Sequence, residues 1–245
     1  LAANAAMRSG CGKVMLAMPQ PLLQSGLSMA PVATGIELPV DEVGRLIPSA
    51  AIEAIDTHAA GCRCLVIGPG FGCDWSQQQI LATLLSREDR PIILDADGIN
   101  AFAQLESGQL ELKAPTIMTP HVGEFTRLAN ANGVSGQSVE ALAQALGCVV
   151  VLKSSTTHIS NGWKQYKTIA EALYLLQGEA GMFYRELLLA CYLSLACIVL
   201  NIFSKPLCLV FEFTRCLANC LQVSLATLEC SQPIYWTVFR KRLQH

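Results

Sequence analysis

The composition of this 245-residue chain excludes several protein classes before any motif is considered. Hydrophobic residues make up 52% and charged residues 15%, so intrinsic disorder and a coiled coil are both excluded. The net charge of -2 and the lack of any Lys/Arg-rich run argue against binding to nucleic acid or to an anionic membrane surface. The 11 cysteines form no CxxC or zinc-type pattern and no secretory signal opens the chain, so we expect reduced thiols and a cytoplasmic location.

Residues 1–162 alternate between short apolar runs and segments of helical period, which predicts βαβ units. Continuous apolar runs predict parallel strands buried on both faces, at Val14–Met18, Cys64–Ile67, Pro91–Leu94, Thr116–Met118 and Cys148–Leu152. Helices are predicted at Leu1–Ser9 with Gly10 as its stop, at Trp75–Leu85 with Asp74 as N-cap, at Gly123–Ala131 and at Gln137–Leu146. The predicted fold is an open three-layer α/β sheet, mainly parallel, with ligands beyond the carboxyl ends of its strands.

The chain after about Trp163 has a different composition. Glycine nearly disappears, and six of the 11 cysteines lie between Cys191 and Cys230. The segment Leu187–Ser204 holds eighteen uncharged residues, the lower length limit of a membrane-spanning helix, but Asn201 and several Ser and Cys dilute its hydrophobicity. We therefore expect no membrane span and keep a membrane-anchored tail as an alternative.

Two loops in the first half of the predicted sheet carry residues suited to ligand binding. Gly68–Gly72, with the sequence GPGFG, joins a strand to a helix, and its backbone amides could approach a phosphate or a ribose. The alternative is a tight turn without a ligand. The next strand ends in Asp95, Asp97 and Asn100, which are two carboxylates and an amide. Asp97 has a structural alternative as a helix cap or as a first-turn partner of the helix dipole.

Two later loops add a histidine and a lysine at predicted strand ends. His121 lies in a polar loop ahead of Glu124, where its imidazole could hydrogen-bond a ligand, although a lone histidine is more often structural. Lys153 precedes four hydroxyl residues, a combination that suits a nucleotide phosphate. The alternative is a solvated hairpin turn before a strand at His158–Ser160. Because strand ends of a parallel sheet share one edge, we expect the four loops to form one site.

Taken in order, these loops resemble the motif series of the ADP- or ATP-dependent NAD(P)H-hydrate dehydratases, members of the ribokinase-like superfamily. The matching segments over residues 1–162 are GPGFG, LDADGINAF, TPHVGEFTRL and VVLKSSTTHISNG, with LAANAAMRSGCGKVMLAMP at the start. The resemblance implies a three-layer ribokinase-like fold, incomplete at both ends. It also implies a lyase for metabolite repair, which phosphorylates the hydroxyl of NADHX or NADPHX and eliminates phosphate to restore NADH or NADPH.

The resemblance assigns residues to two ligands. The hydrated dinucleotide would be contacted by Gly70, Gly72, Asp97, His121, Glu124 and Arg127. The adenine nucleotide, ADP or ATP with Mg²⁺, would be contacted by Lys153, Ser154, Ser155, Thr156 and Thr157, although the family usually has Gly where this chain has Ser154. A small-molecule kinase of the same superfamily is the competing function. The expected partners are these two ligands and, as an open alternative, a second copy of the chain.

The family's glycine-rich motif with its catalytic aspartate, A-T-G-G-[ST]-G-D-V-L-[AS]-G, has no match in this chain, so no catalytic residue is assigned. Codons for Leu175–Leu189 read one base earlier permit Ala-Thr-Gly-Gly-Ser-Gly-Asp-Val-Leu-Ser-Gly, and Met182-Phe183 forces the Val. We therefore hypothesise a one-base frame change between about Gly162 and Leu173. Residues 163–245 would then be an out-of-frame tail, with a helix at Leu187–Phe203, and the chain as written would be an inactive remnant.

Overall fold

The computed structural model describes residues 2–8, 11–87, 90–105, 112–134, 136, 138–154 and 156–169. Its elements, in chain order, are α1 (Ala2–Arg8), β1 (Met15–Pro19), α2 (Gln20–Met29), β2 (Thr34–Leu38), α3 (Pro48–His58), β3 (Leu65–Ile67), α4 (Trp75–Leu85), β4 (Ile92–Leu94), α5 (Asp97–Ala103), β5 (Thr116–Met118), α6 (Val122–Ala131), α7 (Val139–Leu146), β6 (Val149–Leu152), β7 (Thr156–Ser160) and β8 (Gln165–Ile169). Within these ranges no helix has the length and apolar character needed to cross a bilayer. The uncharged run and the helix predicted at Leu187–Phe203 lie outside the described residues.

The main sheet has six strands in the order in which they occur along the chain, β3-β4-β5-β6-β7-β8. The first four are parallel, with Leu65 opposite Ile92 and Ile92 opposite Thr116. Helices α4 and α5, and then α6 with α7, form the crossovers that parallel neighbours require. The predicted class, an α/β fold with a mainly parallel sheet, is confirmed.

The central strands are buried on both faces, as their continuous apolar sequences predict. In β4, Ile92, Ile93 and Leu94 are all at most 1% exposed. Successive strand side chains point to opposite faces, so protein must cover both sides of the sheet at this point. The same expectation is too strong for β1 and β3, whose burial is only partial.

The strand predicted at Val14–Met18 lies in a separate sheet. It is observed as β1, one residue later, and it pairs in parallel with β2 in a two-stranded sheet. Neither β2 nor its flanking helices were predicted. Side chains of β2 alternate between exposed and buried, with Ile36 and Leu38 facing the core, so β2 lacks the continuous apolar run that marks the central strands.

Helices α6 and α7 start at other residues than predicted because polar side chains cap them. The predicted helix Gly123–Ala131 begins one residue earlier, with His121 as its N-cap. The helix predicted from Gln137 begins at Val139, where the Ser138 hydroxyl accepts a hydrogen bond from a backbone N–H. Asp74 is the N-cap of α4 as predicted, but its side chain makes no capping hydrogen bond.

The ordered sheet continues past Gly162, the residue near which it was expected to end. Strands β7 and β8 form an antiparallel hairpin, in which Ser160 pairs with Gln165 and Thr156 pairs with Ile169. Gly162 lies in the turn between them at φ 85°, a conformation that favours glycine. The side chain of Asn161 accepts two backbone N–H bonds in this turn. Gly162 is therefore the middle of a hairpin, and the sheet extends to Ile169.

Candidate functional site

The glycine loop after β3 packs directly on the loop after β4. Gly68 has a φ of 139°, and a Cβ placed on it would lie 1.6 Å from the carbonyl oxygen of Asp95. Gly98 approaches from the other side, since its Cβ would lie 2.6 Å from the carbonyl oxygen of Ile67. Side chains at these two positions would push the loops apart. Gly70, by contrast, has a φ of 70° and open space where a side chain would be.

The carboxylate of Asp97 ties the glycine loop to helix α5. Its Oδ2 accepts a hydrogen bond from the backbone N–H of Gly72 at 3.1 Å. Asp97 is the first residue of α5, and the N-cap is Ala96, so the capping role considered for Asp97 is wrong. Its first-turn position beside the positive end of the helix dipole does match the second alternative. Two predicted dinucleotide residues, Gly72 and Asp97, are therefore in contact.

Asp95 joins the ends of three strands. Its Oδ1 accepts hydrogen bonds from the hydroxyl of Thr119 at 2.8 Å and from the ammonium of Lys153 at 2.5 Å. Backbone bonds run along the same edge, from Thr119 N–H to the Leu94 carbonyl and from Lys153 N–H to the Pro120 carbonyl. The contacts of Asp95 and Asp97 thus bring all four predicted loops together at one edge of the sheet.

His121 and Glu124 form a reciprocal cap at the start of α6. The Nδ1 of His121 accepts from the backbone N–H groups of Gly123 at 2.9 Å and Glu124 at 3.4 Å. The Glu124 carboxylate accepts from the His121 backbone N–H and lies 3.2 Å from its Nε2. These contacts assign the ring proton to Nε2, because Nδ1 acts as an acceptor. His121 therefore has a structural role, while its side chain is still 47% exposed at the site edge.

Charged side chains surround the partly buried Cys73 beside the glycine loop. Its thiol lies 3.6 Å from the carbonyl oxygen of Asp97. Partial burial raises the pKa of the Cys73 thiol, the carboxylates of Asp97 and Asp74 raise it further, and the guanidinium of Arg127 opposes them. Arg127 is therefore near enough to Cys73 for its charge to act on that thiol, and its contact with a dinucleotide stays a prediction.

The predicted nucleotide loop is shorter than the sequence indicates. Only Lys153 and Ser154 of the predicted set are described between β6 and β7, and Ser155 lies outside the described residues. Thr156 and Thr157 belong to β7, which returns antiparallel to β6, so this connection is the hairpin turn that was considered as the alternative. The hydroxyl of Ser154 donates to the carbonyl of Thr156 within this turn. Lys153 is not simply solvated, however, because Asp95 holds its ammonium.

Comparison with known proteins identifies the family of the chain. A family model described as NAD(P)H-hydrate dehydratase (Carb_kinase) matches residues 1–181. The chain belongs to this family. The match runs beyond Gly162, in agreement with the hairpin that continues the sheet to Ile169.

Two bifunctional NAD(P)H-hydrate repair enzymes named Nnr are among the curated relatives of this family member. The Salinibacter ruber protein is 35% identical over 145 residues, which cover 58% of this chain and 26% of that protein. The Gloeobacter violaceus protein is 34% identical over 170 residues, which cover 66% of this chain and 31% of that protein. The chain thus spans 26% and 31% of the length of these two relatives.

Solved structures confirm the ribokinase-like fold. An ADP/ATP-dependent NAD(P)H-hydrate dehydratase from Bacillus subtilis, co-crystallized with ATP/Mg²⁺ and soaked with CoA, gives a TM-score of 0.54 at 24% identity, covering 90% of this chain and 84% of that one. A ribokinase-like superfamily protein from Enterococcus faecalis V583 gives a TM-score of 0.53 at 23% identity, covering 68% of this chain and 56% of that one.

Sequence analysis assigned no ligand and no contact to Asp95 or Thr119. Asp95 was noted as a strand-end carboxylate, but nothing in the local sequence indicates a partner 58 residues away. Thr119 is fully buried at the end of β5. A threonine directly after a short apolar strand is a weak signal for such a contact, because β-branched residues are common in strands on packing grounds alone.

Proposed function

We propose that this family member descends from an enzyme for nucleotide-dependent dehydration of NADHX and NADPHX, and that its strand-end edge is the ligand site. The observation that carries the proposal is the joining of four loops by two carboxylates, Asp97 to the glycine loop and Asp95 to Thr119 and Lys153. Ligands of open α/β sheets bind beyond the carboxyl ends of strands, where these loops meet.

The dinucleotide would occupy the part of this edge formed by the glycine loop and the start of α6. Open space at Gly70 leaves room for a ligand close to the backbone. The exposed ring of His121 and the guanidinium of Arg127 offer polar groups at the rim of this region. Asp97 and Glu124 would act mainly by holding Gly72 and His121 in place, since their carboxylates are already engaged with backbone N–H groups.

The adenine nucleotide would lie against the β6–β7 turn. Lys153 supplies the cation there, and the exposed Ser154 lies next to it. Among the described residues, no three His, Cys, Asp or Glu side chains are grouped to hold a metal ion. Mg²⁺ usually binds through nucleotide phosphates with only one or two protein carboxylates, so it would arrive with the nucleotide, and no protein ligand is assigned to it.

The proposed reaction has two stages. The ring hydroxyl loses its proton and its oxygen bonds to the terminal phosphorus, while the nucleotide leaves with the electrons of the broken P–O bond. The C–O bond then breaks, phosphate leaves, and loss of a ring proton forms the double bond of NADH or NADPH. The first stage needs a base and an anion hole, and the family's aspartate motif is absent from this chain as written.

We therefore propose that the chain as written has little or no activity, and that the motif was lost through a one-base frame change. In-register pairing of β8 through Ile169 supports a change after that residue and before Leu173. A frame-restored version is then the natural reference protein: it keeps residues 1–169 and recovers the glycine-rich motif. We also propose a cytoplasmic location, in keeping with the reduced thiols expected from the sequence.

The test of this function is product identity with the frame-restored version. Incubation with NADHX, ADP or ATP and Mg²⁺ is expected to yield NADH and free phosphate in equal amounts. A phosphorylated product that accumulates without NADH would instead support the small-molecule kinase of the same superfamily. Failure to bind either NADHX or an adenine nucleotide, measured by calorimetry, would reject the proposed site.

A further inference from the structure

Asp95 occupies the point where three strand ends meet. One oxygen, Oδ1, accepts hydrogen bonds from both the hydroxyl of Thr119 and the ammonium of Lys153. These groups come from the ends of β5 and β6, while Asp95 itself follows β4. The side chain of Asp95 is 13% exposed and that of Lys153 is 32% exposed, so the ion pair is partly shielded from water. Such pairs are screened less than pairs on an open surface.

The backbone around this carboxylate is fixed independently of the side chains. Lys153 N–H donates to the Pro120 carbonyl at 2.8 Å, and Lys153 forms a parallel bridge with His121. Ala96, directly after Asp95, has a φ of 48°, the one positive φ of a non-glycine among the described residues. This conformation costs free energy for an L-residue. It sends the two flanking carboxylates to different partners, Asp95 to Lys153 and Asp97 to Gly72.

We infer that Asp95 is a positioning residue that holds the Lys153 ammonium at the strand-end edge and thereby fixes the cation that the nucleotide would meet there. The nucleotide part of this inference rests on the proposed function. Without Asp95, the four-carbon side chain of Lys153 would sample many rotamers, because only its ammonium is anchored by the carboxylate. A phosphate arriving at the turn would then meet a mobile cation in place of a fixed one.

Site-specific lysine labelling tests the positioning directly on the full chain as written. Acetylation by an N-hydroxysuccinimide ester, followed by peptide mass spectrometry, gives the reaction rate of Lys153 relative to exposed Lys113 and Lys164. In the parent chain Lys153 is expected to react more slowly than both. Asp95→Asn is expected to speed its reaction roughly tenfold or more, as loss of a hydrogen bond to a charged group implies.

A matched control is available in another ion pair, between Asp56 and Arg87. Asp56 contacts Arg87 at 2.9 Å, so Asp56→Asn removes an ion-paired carboxylate far along the sequence from Asp95. This variant is expected to leave the Lys153 rate unchanged. Asp95→Glu, which keeps the negative charge, is expected to recover part of the slow labelling, an effect that a purely steric role of Asp95 would not produce.

Three results would overturn the inference. These are Lys153 reacting as fast as Lys113 in the parent chain, no change on Asp95→Asn, or an equal change on Asp56→Asn. If Asp95→Asn speeds the reaction of every lysine equally, the variant has unfolded. The parent chain alone then tests the inference: slower labelling of Lys153 than of Lys113 supports it, and equal rates overturn it. Addition of ATP with Mg²⁺ separates the two proposals: slow labelling of Lys153 that nucleotide does not alter supports positioning by Asp95 and contradicts the nucleotide role of the turn.

Discussion

Asp95 and Asp97 are two residues apart in one loop, yet they stabilise different sides of the site. On the lysine side, Asp95 holds an ammonium and a hydroxyl from two other strand ends. On the glycine side, Asp97 accepts a single backbone N–H from Gly72. The difference arises at Ala96, whose positive φ turns the chain between them. Two aspartates in one motif therefore stabilise different contacts. Substitutions on the two sides should differ in their effects.

The largest effect is expected for glycine substitutions on the glycine side. In Gly68→Ala, the new Cβ would lie 1.6 Å from a backbone carbonyl, so we expect a loss of about 3 kcal/mol or more in unfolding free energy. Gly70→Ala is the matched control, since it also has positive φ but no atom nearby, and about 1–2 kcal/mol is expected. Urea unfolding measures both variants. Equal losses would show that loop packing at Gly68 is not as close as described.

The second prediction compares the carboxylates themselves. Asp95→Asn should lower the free energy of unfolding by about 1.5–3 kcal/mol, because the partly buried ammonium of Lys153 loses its charged partner. Asp97→Asn should cost only about 1 kcal/mol, from one weakened hydrogen bond and a first-turn charge. The same urea titrations apply. A larger loss for Asp97→Asn would reverse the comparison between the two sides.

The third prediction concerns the buried thiol of Cys148, at the start of the strand that leads to Lys153. Burial raises the pKa of Cys148, just before β6, to about 12 from its ordinary 9.0. The folded chain therefore keeps this proton between those pH values while the unfolded chain releases it. Stability should fall as pH rises above 9, by about 1.4 kcal/mol per pH unit from this group. Cys148→Ala should show a shallower decline in thermal unfolding across the same range, and identical slopes would argue against burial of the thiol.

The smallest effect is expected at the cap that lies between the two sides. His121→Ala removes an N-cap acceptor and should cost about 1 kcal/mol of unfolding free energy, whereas His121→Asn can keep the cap. In the frame-restored protein both variants should raise the KM for NADHX if the exposed ring contacts the dinucleotide. A normal KM in His121→Asn together with reduced stability in His121→Ala would leave the histidine only its capping role.

Continuous apolar runs made the main sheet predictable. Thr116–Met118 is observed as predicted, and Ile92–Leu94 differs by one residue, because both strands are buried on each face. Strand β2 was not predicted because only alternate residues of it are buried, so its sequence has no continuous apolar run. The end of the sheet was misjudged at Gly162, where glycine marks a hairpin turn and not the last ordered residue.

The place of the candidate site on the sheet edge was predictable from the sequence, but the hydrogen bonds that join its loops were not. Strand-end loops at Gly72, Asp97, His121 and Lys153 were all expected at one edge, and the structure brings them together. Local sequence could not show that His121 caps α6, since the cap depends on the reciprocal contact with Glu124. The contact of Lys153 with Asp95 spans 58 positions and exists only once parallel strands have aligned their ends.

The most direct test of the account is turnover of NADHX by two proteins: the chain as written and its frame-restored version. NADH absorbance is followed with ADP or ATP and Mg²⁺ under the same conditions. Loss of a general base alone typically costs 10²- to 10⁴-fold in rate, so the chain as written should stay lower by at least about 10²-fold. The restored version should form NADH readily. Near-normal turnover by the chain as written would contradict the assignment of catalysis to the missing aspartate motif.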